Sequence, residues 1–548
     1  MSSRNRKELI SLFDVFCEVG ADFGDGVAVI LQKYPEDFND QQALKSIVQF
    51  TFPCGLHSDE VEAVQLFSFV LTDEKSEYTF AYCRYAPLSN TCLCILSGYS
   101  WFSIFYKILN HISMVMNNRP ASDLESLLAH MYHVPLPSPG AKLILESGAG
   151  ENKLEVVVPD TKKLPTLKED KFMLEFYNAL PEKQMIALYA SMLKERRILF
   201  TGRKLSQLSS CVLAASTLLF PMHWQNVFIP VLPVSLVDMI MAPMPYLIGI
   251  PKKTFLSVRK DVLGDVVLID LDQRTMQNPH NDTSDLPSDV ISLLRHELRS
   301  SSDLFLSDGL ARSFLRTNAF LFGGYRQGFY YSSSYKWNGE KFIQNQRNSL
   351  KTFLRSLIGH DGVQYFERFI DERLSALNAG QPVDDEFEKQ ARLNEEKNSK
   401  SSNLVRENAN DMFGVLKDKV QSIGELKIKD RFGRLTPREF KKTSSKKSSA
   451  FNDVIMSFDT QQWSTDAIPL PSTVVSSSDN NAEDLIDLSD DKSESMINTS
   501  VPSSNATTPY PNPHLFTFDP LSHLSSTSES ASDNKTAARN QWQRFDSP

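Results

Sequence analysis

The chain has 548 residues, of which 41% are hydrophobic and 23% charged, and its formal net charge is −9. This length exceeds what one hydrophobic core usually organises, so two or more domains are expected. The acidic balance gives no general attraction to nucleic acid, because phosphate binding requires a concentrated basic surface. The composition therefore predicts a multidomain globular protein without a nucleic-acid partner.

Cysteine usage restricts the kinds of site the chain can hold. All six cysteines lie in the first 211 residues, and none forms a C-x-x-C pair. Cys92 and Cys94 alternate in a strand-like segment, so both face one side, where small apolar core residues explain them better than metal ligands do. The sequence predicts no disulfide, no zinc and no other metal site.

Membrane-spanning segments are not expected. The N-terminus has no apolar run of the kind found in signal peptides. The most apolar stretch, residues 211–251, is repeatedly interrupted by proline and polar residues. It cannot supply the about 20 uninterrupted apolar residues that a spanning helix needs. We therefore expect a cytosolic protein whose membrane contacts are peripheral.

Residues 10–140 are predicted to form a first lobe around an antiparallel sheet. Hydrophobic and polar residues alternate in short segments that are typical of neighbouring strands. These segments are residues 12–19, 67–71, 78–84 and 92–96. A helix follows, because apolar residues recur at helical spacing from Trp101 to Met116. The proline-rich run at residues 135–139 marks the end of this lobe.

Residues 141–285 are predicted to form a central α/β lobe. Residues 171–194 and 208–219 have helical periodicity, and Ser206 is expected to cap the second helix. Buried strands are expected at residues 197–201, 227–232 and 265–270. Strands that alternate with helices favour right-handed crossovers and a mainly parallel sheet.

Residues 286–380 are predicted to be helical, and residues 381–548 to be a disordered tail. The helices are expected at residues 289–298, 310–322, 350–358 and 365–377. In the tail the composition shifts to Ser, Asn, Asp, Lys and Thr, so it cannot bury enough apolar surface to offset its chain entropy. A transient helix at residues 411–423 is the expected exception.

The predicted tail has two parts of opposite charge. Residues 427–447 hold nine Lys and Arg against two acidic residues, a net of +7, and residues 451–548 hold four against fourteen, a net of −10. Each Lys or Arg near an anionic lipid surface contributes roughly 1 kcal/mol. The lipid-contact candidates are Arg431, Arg434, Arg438, Lys441 and Lys442. The alternative is a solvated linker or a nuclear-localisation-like run.

The end of the chain carries a short motif typical of adaptor-binding peptides. Trp542, Phe545 and Asp546 form a W-x-x-F pair followed by an acid. Such peptides seat two aromatic anchors in pockets while the extended backbone pairs with the receptor. The alternative is a chance match, and residues 516–520 are a weaker aromatic–Asp-Pro motif.

A second tail motif is similar to a clathrin box. Leu485, Ile486 and Leu488 form the apolar trio. The usual final acid is replaced by Ser489, with acidic residues next to it. Phosphorylation of Ser489 would supply the missing charge.

No catalytic motif is apparent in the chain. H-E-x-x-H, G-x-S-x-G and phosphate-loop patterns are missing from the sequence. Residues 201–206 come nearest to a phosphate loop, but their single glycine favours a plain strand-to-helix turn. Asp270 and Asp272 favour a solvated turn, and His223 has no partner nearby in sequence. We therefore expect no hydrolase or kinase activity, no metal and no cofactor.

Several long blocks occur in one order between residues 10 and 380. They are residues 34–38, 69–73 and 94–97, then 188–198, 220–233 and 242–250, then 286–290, 308–312 and 369–374. Together these blocks resemble the DENN family, and most closely its connecdenn subgroup. Residues 336–339 have no clear counterpart in that subgroup.

The resemblance implies an α/β fold with a longin-like N-terminal lobe and an α/β DENN lobe with C-terminal helices, which together clasp a Rab-family GTPase. Members are guanine-nucleotide exchange factors, and connecdenns are expected to act on the Rab numbered thirty-five. The implied partners are this GTPase, clathrin, the plasma-membrane clathrin adaptor and phosphoinositide membranes. The implied locations are clathrin-coated vesicles, the plasma membrane, and early and recycling endosomes. A non-catalytic endocytic scaffold that binds a GTPase and adaptors is the alternative.

Nucleotide exchange breaks no covalent bond, so it requires no acid–base residues. An exchange factor binds the nucleotide-free GTPase more tightly, and by linkage it weakens GDP binding by the same factor. We expect the contact residues in a proline-rich loop and beside the groove between the lobes. They are Arg196, Arg197, Asp238, Met244, Pro245 and Tyr246. The alternative is that this loop only fixes a tight turn.

Overall fold

A computed structural model describes most of the chain up to residue 397. The described residues are 4–6, 9–21, 27–56, 63–147, 152–259, 261, 263–299, 307–359 and 362–397. The basic segment 427–447, the helix expected at 411–423 and all the endocytic motifs lie outside them. Within the described residues, no helix is both long enough and apolar enough to cross a membrane.

The first sheet has five antiparallel strands. They are β1 Val15–Ala21, β2 Ala28–Tyr34, β3 Gln65–Thr72, β4 Tyr78–Ala86 and β5 Thr91–Ser97, and they lie side by side in the order β2-β1-β5-β4-β3. Cys94 lies directly opposite Cys17 on β1 and Cys83 on β4, and all three are fully buried, as is Cys92. The interpretation of Cys92 and Cys94 as core residues is therefore confirmed.

Helices cover both faces of this sheet. They are α1 Gln41–Thr51, α2 Phe102–Asn118 and α3 Ala121–His133. α1 begins after Asp40, whose carboxylate accepts hydrogen bonds from the N–H groups of Gln42 and Ala43 at 3.0 Å. α2 is the helix predicted from apolar spacing, and its Phe105 ring stacks on Tyr82 of β4 with 4.4 Å between centroids. Both faces of the first sheet are therefore apolar, and each is covered by helices.

A two-stranded hairpin, β6 Lys142–Ser147 and β7 Asn152–Val157, leads into a second sheet. The strands of this sheet are β8 Arg197–Gly202, β9 Val227–Ile229, β10 Tyr246–Pro251, β11 Val267–Asp270 and β12 Thr275–Gln277. Their order is β12-β11-β8-β10-β9, with only β12 antiparallel to its neighbour. The prediction of a mainly parallel sheet is confirmed. The helices of this region are α4 Lys171–Ala179, α5 Glu182–Leu193, α6 Leu205–Thr217, a 3₁₀ helix Val234–Met241 and α7 Lys252–Ser257.

β10 occupies a position where sequence analysis expects a proline-rich loop. All six of its residues are buried, and it pairs with β8 on one side and β9 on the other. Gly249 is required there, because a Cβ atom would lie 2.2 Å from the carbonyl oxygen of Pro230. The close approach lets the N–H of Leu232 donate to the carbonyl of Gly249 at 2.7 Å.

The start of α6 joins the two sheets. Its N-cap residue, Lys204, makes no capping bond with its side chain. Instead the side-chain oxygen of Gln65, on β3, accepts a hydrogen bond from the N–H of Leu205 at 2.8 Å. The expected cap by Ser206 is therefore wrong, since the acceptor comes from a strand of the first sheet.

The C-terminal part is mainly helical and contains the four predicted helices, but the prediction that it is helical throughout is wrong, because residues 329–337 form a two-stranded hairpin. Its elements are α8 Asp282–Asp285, α9 Ser288–Arg299, α10 Gly309–Phe322, a 3₁₀ turn Gly323–Gly328, β13 Phe329–Tyr331, β14 Tyr335–Trp337, α11 Gly339–Gln344, α12 Asn348–Leu357 and α13 Gln364–Asn378. Asn318 of α10 ties this part to the second sheet's helices. Its side chain accepts from the hydroxyl of Tyr189 at 2.6 Å and donates to the carbonyls of Leu218 and Phe220 at 2.9 and 2.8 Å.

A further helix, α14, spans residues 386–397, which sequence analysis assigns to the tail. The Phe387 ring is fully buried, with its centroid 5.5 Å from that of Phe369 on α13. Glu388 is also buried, and its carboxylate accepts from the hydroxyl of Tyr325 at 2.5 Å and from the guanidinium of Arg326 at 2.8 Å. The folded part therefore continues past residue 380, because α14 packs Phe387 among aromatic rings and the buried carboxylate of Glu388 has hydrogen-bond partners.

Candidate functional site

The predicted contact residues lie around the amino-terminal ends of the parallel strands in the second sheet. Arg197 begins β8, Tyr246 begins β10, and the two residues lie directly opposite each other in the sheet. The chain before β10 is the 3₁₀ helix Val234–Met241 and a short connection through Met244 and Pro245. The sheet therefore brings predicted contact residues that are distant in sequence to the same edge.

The 3₁₀ helix, whose backbone departs from helical geometry at Leu236, buries two apolar side chains in the core and exposes apolar side chains at its two ends. Leu236 and Ile240 are buried in the core under the second sheet. Val234 and Met241 are exposed, at 48% and 46%, and Asp238 is exposed between them. These exposed side chains make the 3₁₀ segment a candidate for contact with a partner.

Two backbone contacts fix the ends of the 3₁₀ helix. The N–H of Val234 donates to the carbonyl of Pro53, which follows α1 in the first domain, at 3.0 Å. The hydroxyl of Tyr246 donates to the carbonyl of Ile240 at 3.0 Å. The segment is thus tied to the first lobe at its start and to the second sheet near its end.

Tyr246 is part of the core and is not exposed. Its side chain is fully buried, and burial raises the pKa of its phenol to about 12. The ring cannot reach a partner, so its assignment as a contact residue is corrected. Met244 and Pro245, just before it, are half-buried, and of the predicted loop residues Asp238 is the exposed one.

Arg196 belongs to an internal ion pair. Its guanidinium donates to both carboxylate oxygens of Asp282, with the shortest N···O distance 2.8 Å. The hydroxyl of Ser191 donates to the same carboxylate at 3.0 Å. Because Asp282 is almost completely buried, its charge depends on these partners, and Arg196 has a structural role that the sequence does not reveal.

Arg197 is half-buried and lies next to a turn that only glycine suits well. Gly264 has a φ of +60°, and a Cβ atom there would come within 3.2 Å of a guanidinium nitrogen of Arg197. The guanidinium also lies close enough to Tyr246 to oppose the rise in its pKa. Of the two arginines predicted to contact a partner, Arg197 is therefore the one that lies beside the exposed edge of the second sheet.

The opposite, carboxyl-terminal edge of the sheet holds a small cavity of about 30 Å³ at the boundary with the first domain. Its cationic lining residues are Arg203, Lys252 and Lys253. Lys252 pairs with Asp270, whose carboxylate also accepts from the N–H groups of Asp272 and Gln273 at 3.1 Å. Asp270 therefore holds a turn together, but it is buried and paired with Lys252, so its interpretation as part of a solvated turn is wrong.

The groups around the 3₁₀ helix are suited to binding a partner. They are apolar side chains, one exposed carboxylate and backbone groups that are already hydrogen-bonded. No group of three or more His, Cys, Asp or Glu residues positioned to hold a metal occurs in the part of the chain that the structure describes. The exposed Val234 and Met241 are the site residues that sequence reasoning missed. No regular spacing in the sequence marks them, because they are the first and last residues of a segment whose helical geometry is interrupted at Leu236.

Comparison with known proteins places two domain families on this fold. Residues 28–85 match the uDENN domain, and residues 88–274 match the DENN (AEX-3) domain. Mouse DENN domain-containing protein 1B is 38% identical over 394 residues, which cover 71% of this chain and 50% of the relative. Xenopus laevis DENN domain-containing protein 1A is 38% identical over 399 residues, covering 72% and 39%. Mouse DENN domain-containing protein 1C is 35% identical over 412 residues, covering 71% and 52%. The chain thus spans about half, or less, of the length of these relatives.

Proposed function

Since the chain belongs to the DENN domain family and is related to the DENN domain-containing protein 1 group, we propose that it promotes GDP release from a Rab-family small GTPase. The observation that carries this proposal is the 3₁₀ segment Val234–Met241, in which Val234, Asp238 and Met241 are exposed. This segment lies within the matched DENN domain and is tied to the first lobe through Pro53.

The chemistry of that segment fits exchange, because exchange is a competition between two binding equilibria. A surface that holds the nucleotide-free GTPase more tightly than the loaded form weakens GDP binding by the same factor. Apolar side chains and a single carboxylate are sufficient for such a surface. The protein is accordingly a regulatory exchange factor without covalent chemistry.

The finer parts of the proposal concern partner and place. We take the GTPase to be the Rab numbered thirty-five, acting in clathrin-mediated endocytosis and endosomal recycling. The adaptor-type motif at Trp542, Phe545 and Asp546 and the clathrin-box-like trio at Leu485, Ile486 and Leu488 support this setting. The basic segment with Arg431, Arg434, Arg438, Lys441 and Lys442 supports peripheral contact with anionic membranes.

The proposal is tested by release of fluorescent GDP from a panel of purified Rab proteins mixed with the full chain. One or a few Rabs are expected to release nucleotide faster. The variant Met241→Asp, which replaces an exposed apolar side chain by a charge, is expected to slow release at least about tenfold, as loss of an interface anchor does. The matched control is Met114→Asp on α2, where a methionine of similar exposure, 42%, lies on another helix.

Two outcomes would contradict the proposal. Acceleration of no Rab would leave a non-catalytic endocytic scaffold as the better function. Equal rates for the two methionine variants would mean that the 3₁₀ helix is not the contact surface, even if exchange itself occurs.

A further inference from the structure

The carboxyl ends of β8 and β10 lie side by side in the second sheet. The two strands are adjacent and parallel, and Gly202 at the end of β8 lies directly opposite Pro251 at the end of β10. From these two residues the chain continues toward α6 and α7. Two strand-to-helix connections therefore begin at one place on the edge of the sheet.

The two helices that follow these strands lie on opposite faces of the sheet. Leu208 of α6 belongs to the same hydrophobic cluster as Phe200 of β8, whereas Phe255 of α7 belongs to the same cluster as Leu199. Since Leu199 and Phe200 are consecutive in a strand, their side chains point to opposite faces. Where neighbouring parallel strands send their helices to opposite faces, a crevice opens outside the carboxyl ends, and α/β proteins bind ligands in such crevices.

This crevice holds the cavity of about 30 Å³. Arg203 lines it after β8, Lys252 and Lys253 line it after β10, and Cys54 and Gln65 line it from the first lobe. Its volume exceeds the about 10–15 Å³ that one water molecule requires. The cavity therefore has room for a small polyatomic ion.

The side chain of Gln65 brings a hydrogen-bond donor to the cavity wall. Gln65 is only 7% exposed, and its oxygen accepts from the N–H of Leu205, the first residue of α6, at 2.8 Å. Its amide nitrogen, which can only donate, has no acceptor among the described residues. Because buried polar groups are normally hydrogen-bonded, this donor indicates an acceptor inside the cavity.

The charge around the cavity is positive. Three of its lining residues are cationic, and none of the described lining residues is acidic. Asp272 accepts from the N–H of Arg203 at 3.2 Å and Asp270 pairs with Lys252, but neither carboxylate lines the cavity. Leu205 also lines it, so the positive end of the α6 dipole lies at the same place. Amide, guanidinium, ammonium and helix amino end together form a set of donors for an oxyanion.

We propose that this cavity binds a single phosphate group, held by the amide nitrogen of Gln65, the amino end of α6 and the side chains of Arg203 and Lys253. The ligand is a phosphate monoester or free phosphate, carried either by a small soluble molecule or by a lipid headgroup. Binding does not depend on the exchange activity proposed above, because no residue of the 3₁₀ segment lines the cavity.

Cys54 is a natural reporter of this site. It lines the cavity and is half-buried, whereas the other five cysteines are buried. Alkylation of Cys54 in the full chain is followed by mass spectrometry with iodoacetate, an anion, and with neutral iodoacetamide. The ratio of the two rates is expected to be about tenfold higher for Cys54 than for glutathione, because a cationic cleft concentrates anions. Inorganic phosphate is expected to slow both reactions saturably when sodium chloride keeps the ionic strength constant.

Two sets of substitutions separate the site from general charge. Gln65→Glu keeps an oxygen for the N–H of Leu205 but replaces the donor by an anionic oxygen, so it is expected to abolish protection by phosphate. Arg203→Gln with Lys253→Gln is expected to return the rate ratio to that of glutathione. The matched control is Arg295→Gln with Arg299→Gln, which removes the same charge from residues that do not line the cavity and is expected to preserve both effects.

The source of the phosphate group is distinguished with vesicles of phosphatidylcholine that contain either phosphatidic acid or phosphatidylserine. Protection by inorganic phosphate alone supports a soluble ligand, and stronger protection by phosphatidic acid vesicles at equal phosphate concentration supports a lipid headgroup. The proposal is overturned if neither protects Cys54, or if phosphatidylserine protects as well as phosphatidic acid. It is also overturned if the control pair abolishes protection, because the effect would then come from the charge of the whole surface.

Discussion

The ion pair between Arg196 and Asp282 gives a prediction that separates a structural arginine from a partner contact. Substituting Arg196→Ala leaves the buried carboxylate of Asp282 with the hydroxyl of Ser191 as its remaining side-chain donor. Removing one partner of a fully buried pair costs about 3–5 kcal/mol. Because the Arg196 side chain is 35% exposed, solvent screens part of this interaction, and we expect a loss of about 2–3 kcal/mol.

The second substitution of this double-mutant cycle removes the charge that Arg196→Ala leaves unpaired. Asp282→Asn in the Arg196→Ala background is expected to recover about half of the lost stability, since a neutral amide costs less to bury than a carboxylate. The matched control is Arg299→Ala, which breaks the more exposed pair with Glu182 at 2.8 Å. We expect the control to change stability by less than about 1 kcal/mol.

The measurement is urea unfolding of the full chain, compared at constant slope so that midpoint shifts report stability. GDP release from the responsive Rab is measured in parallel under folding conditions. If Arg196→Ala is as stable as the Arg299→Ala control but slows release, then Arg196 contacts the GTPase and the structural interpretation is wrong.

Three further predictions rest on single positions. Gly249→Ala is expected to reduce the soluble yield and the urea midpoint strongly, since its Cβ would meet the carbonyl of Pro230 at 2.2 Å; an unchanged midpoint would contradict the tight approach of β10. Phe387→Ala is expected to cost about 3–5 kcal/mol and to speed hydrogen exchange across residues 386–397, whereas unchanged exchange would place α14 outside the fold. Desolvation lowers the pKa of His223 to about 3 in the folded protein. As the pH falls below about 6.5, the unfolded chain takes up a proton that the folded protein does not, and the free energy of unfolding therefore declines. His223→Asn is expected to flatten this decline in urea midpoints between about pH 6.5 and pH 5, and an unchanged slope would assign it to other groups.

Local patterning in the sequence determined most of the secondary structure. Alternation predicted four of the five strands of the first sheet, with Cys92 and Cys94 on one buried face, and helical spacing predicted α2, α9, α10, α12 and α13. The strand β2 and the helices α1, α3 and α11 were not predicted. These patterns are readable because an element that buries one face repeats its apolar residues with the period of its own backbone. The alternation of strands and helices also predicted the mainly parallel second sheet.

The candidate site could be predicted only in part, because contacts between residues distant along the chain decide which side chains are exposed there. Of the predicted contact residues, Asp238 is exposed and Arg197 is half-buried, but the sequence could not show that Arg196 is held by Asp282, 86 residues away. It read the prolines around Tyr246 as a loop, whereas parallel pairing with β8 and β9 makes that residue the start of a central strand.

Tertiary structure alone decided the remaining features. Gln65 caps α6 from 140 residues away, and α14 is ordered by a pocket of rings on other helices. The sequence does not show such contacts, because the groups that form them are distant along the chain and meet only after the sheets and helices have packed. The sequence therefore determined which segments form strands and helices, and packing decided which of their side chains remain at the surface to meet a partner.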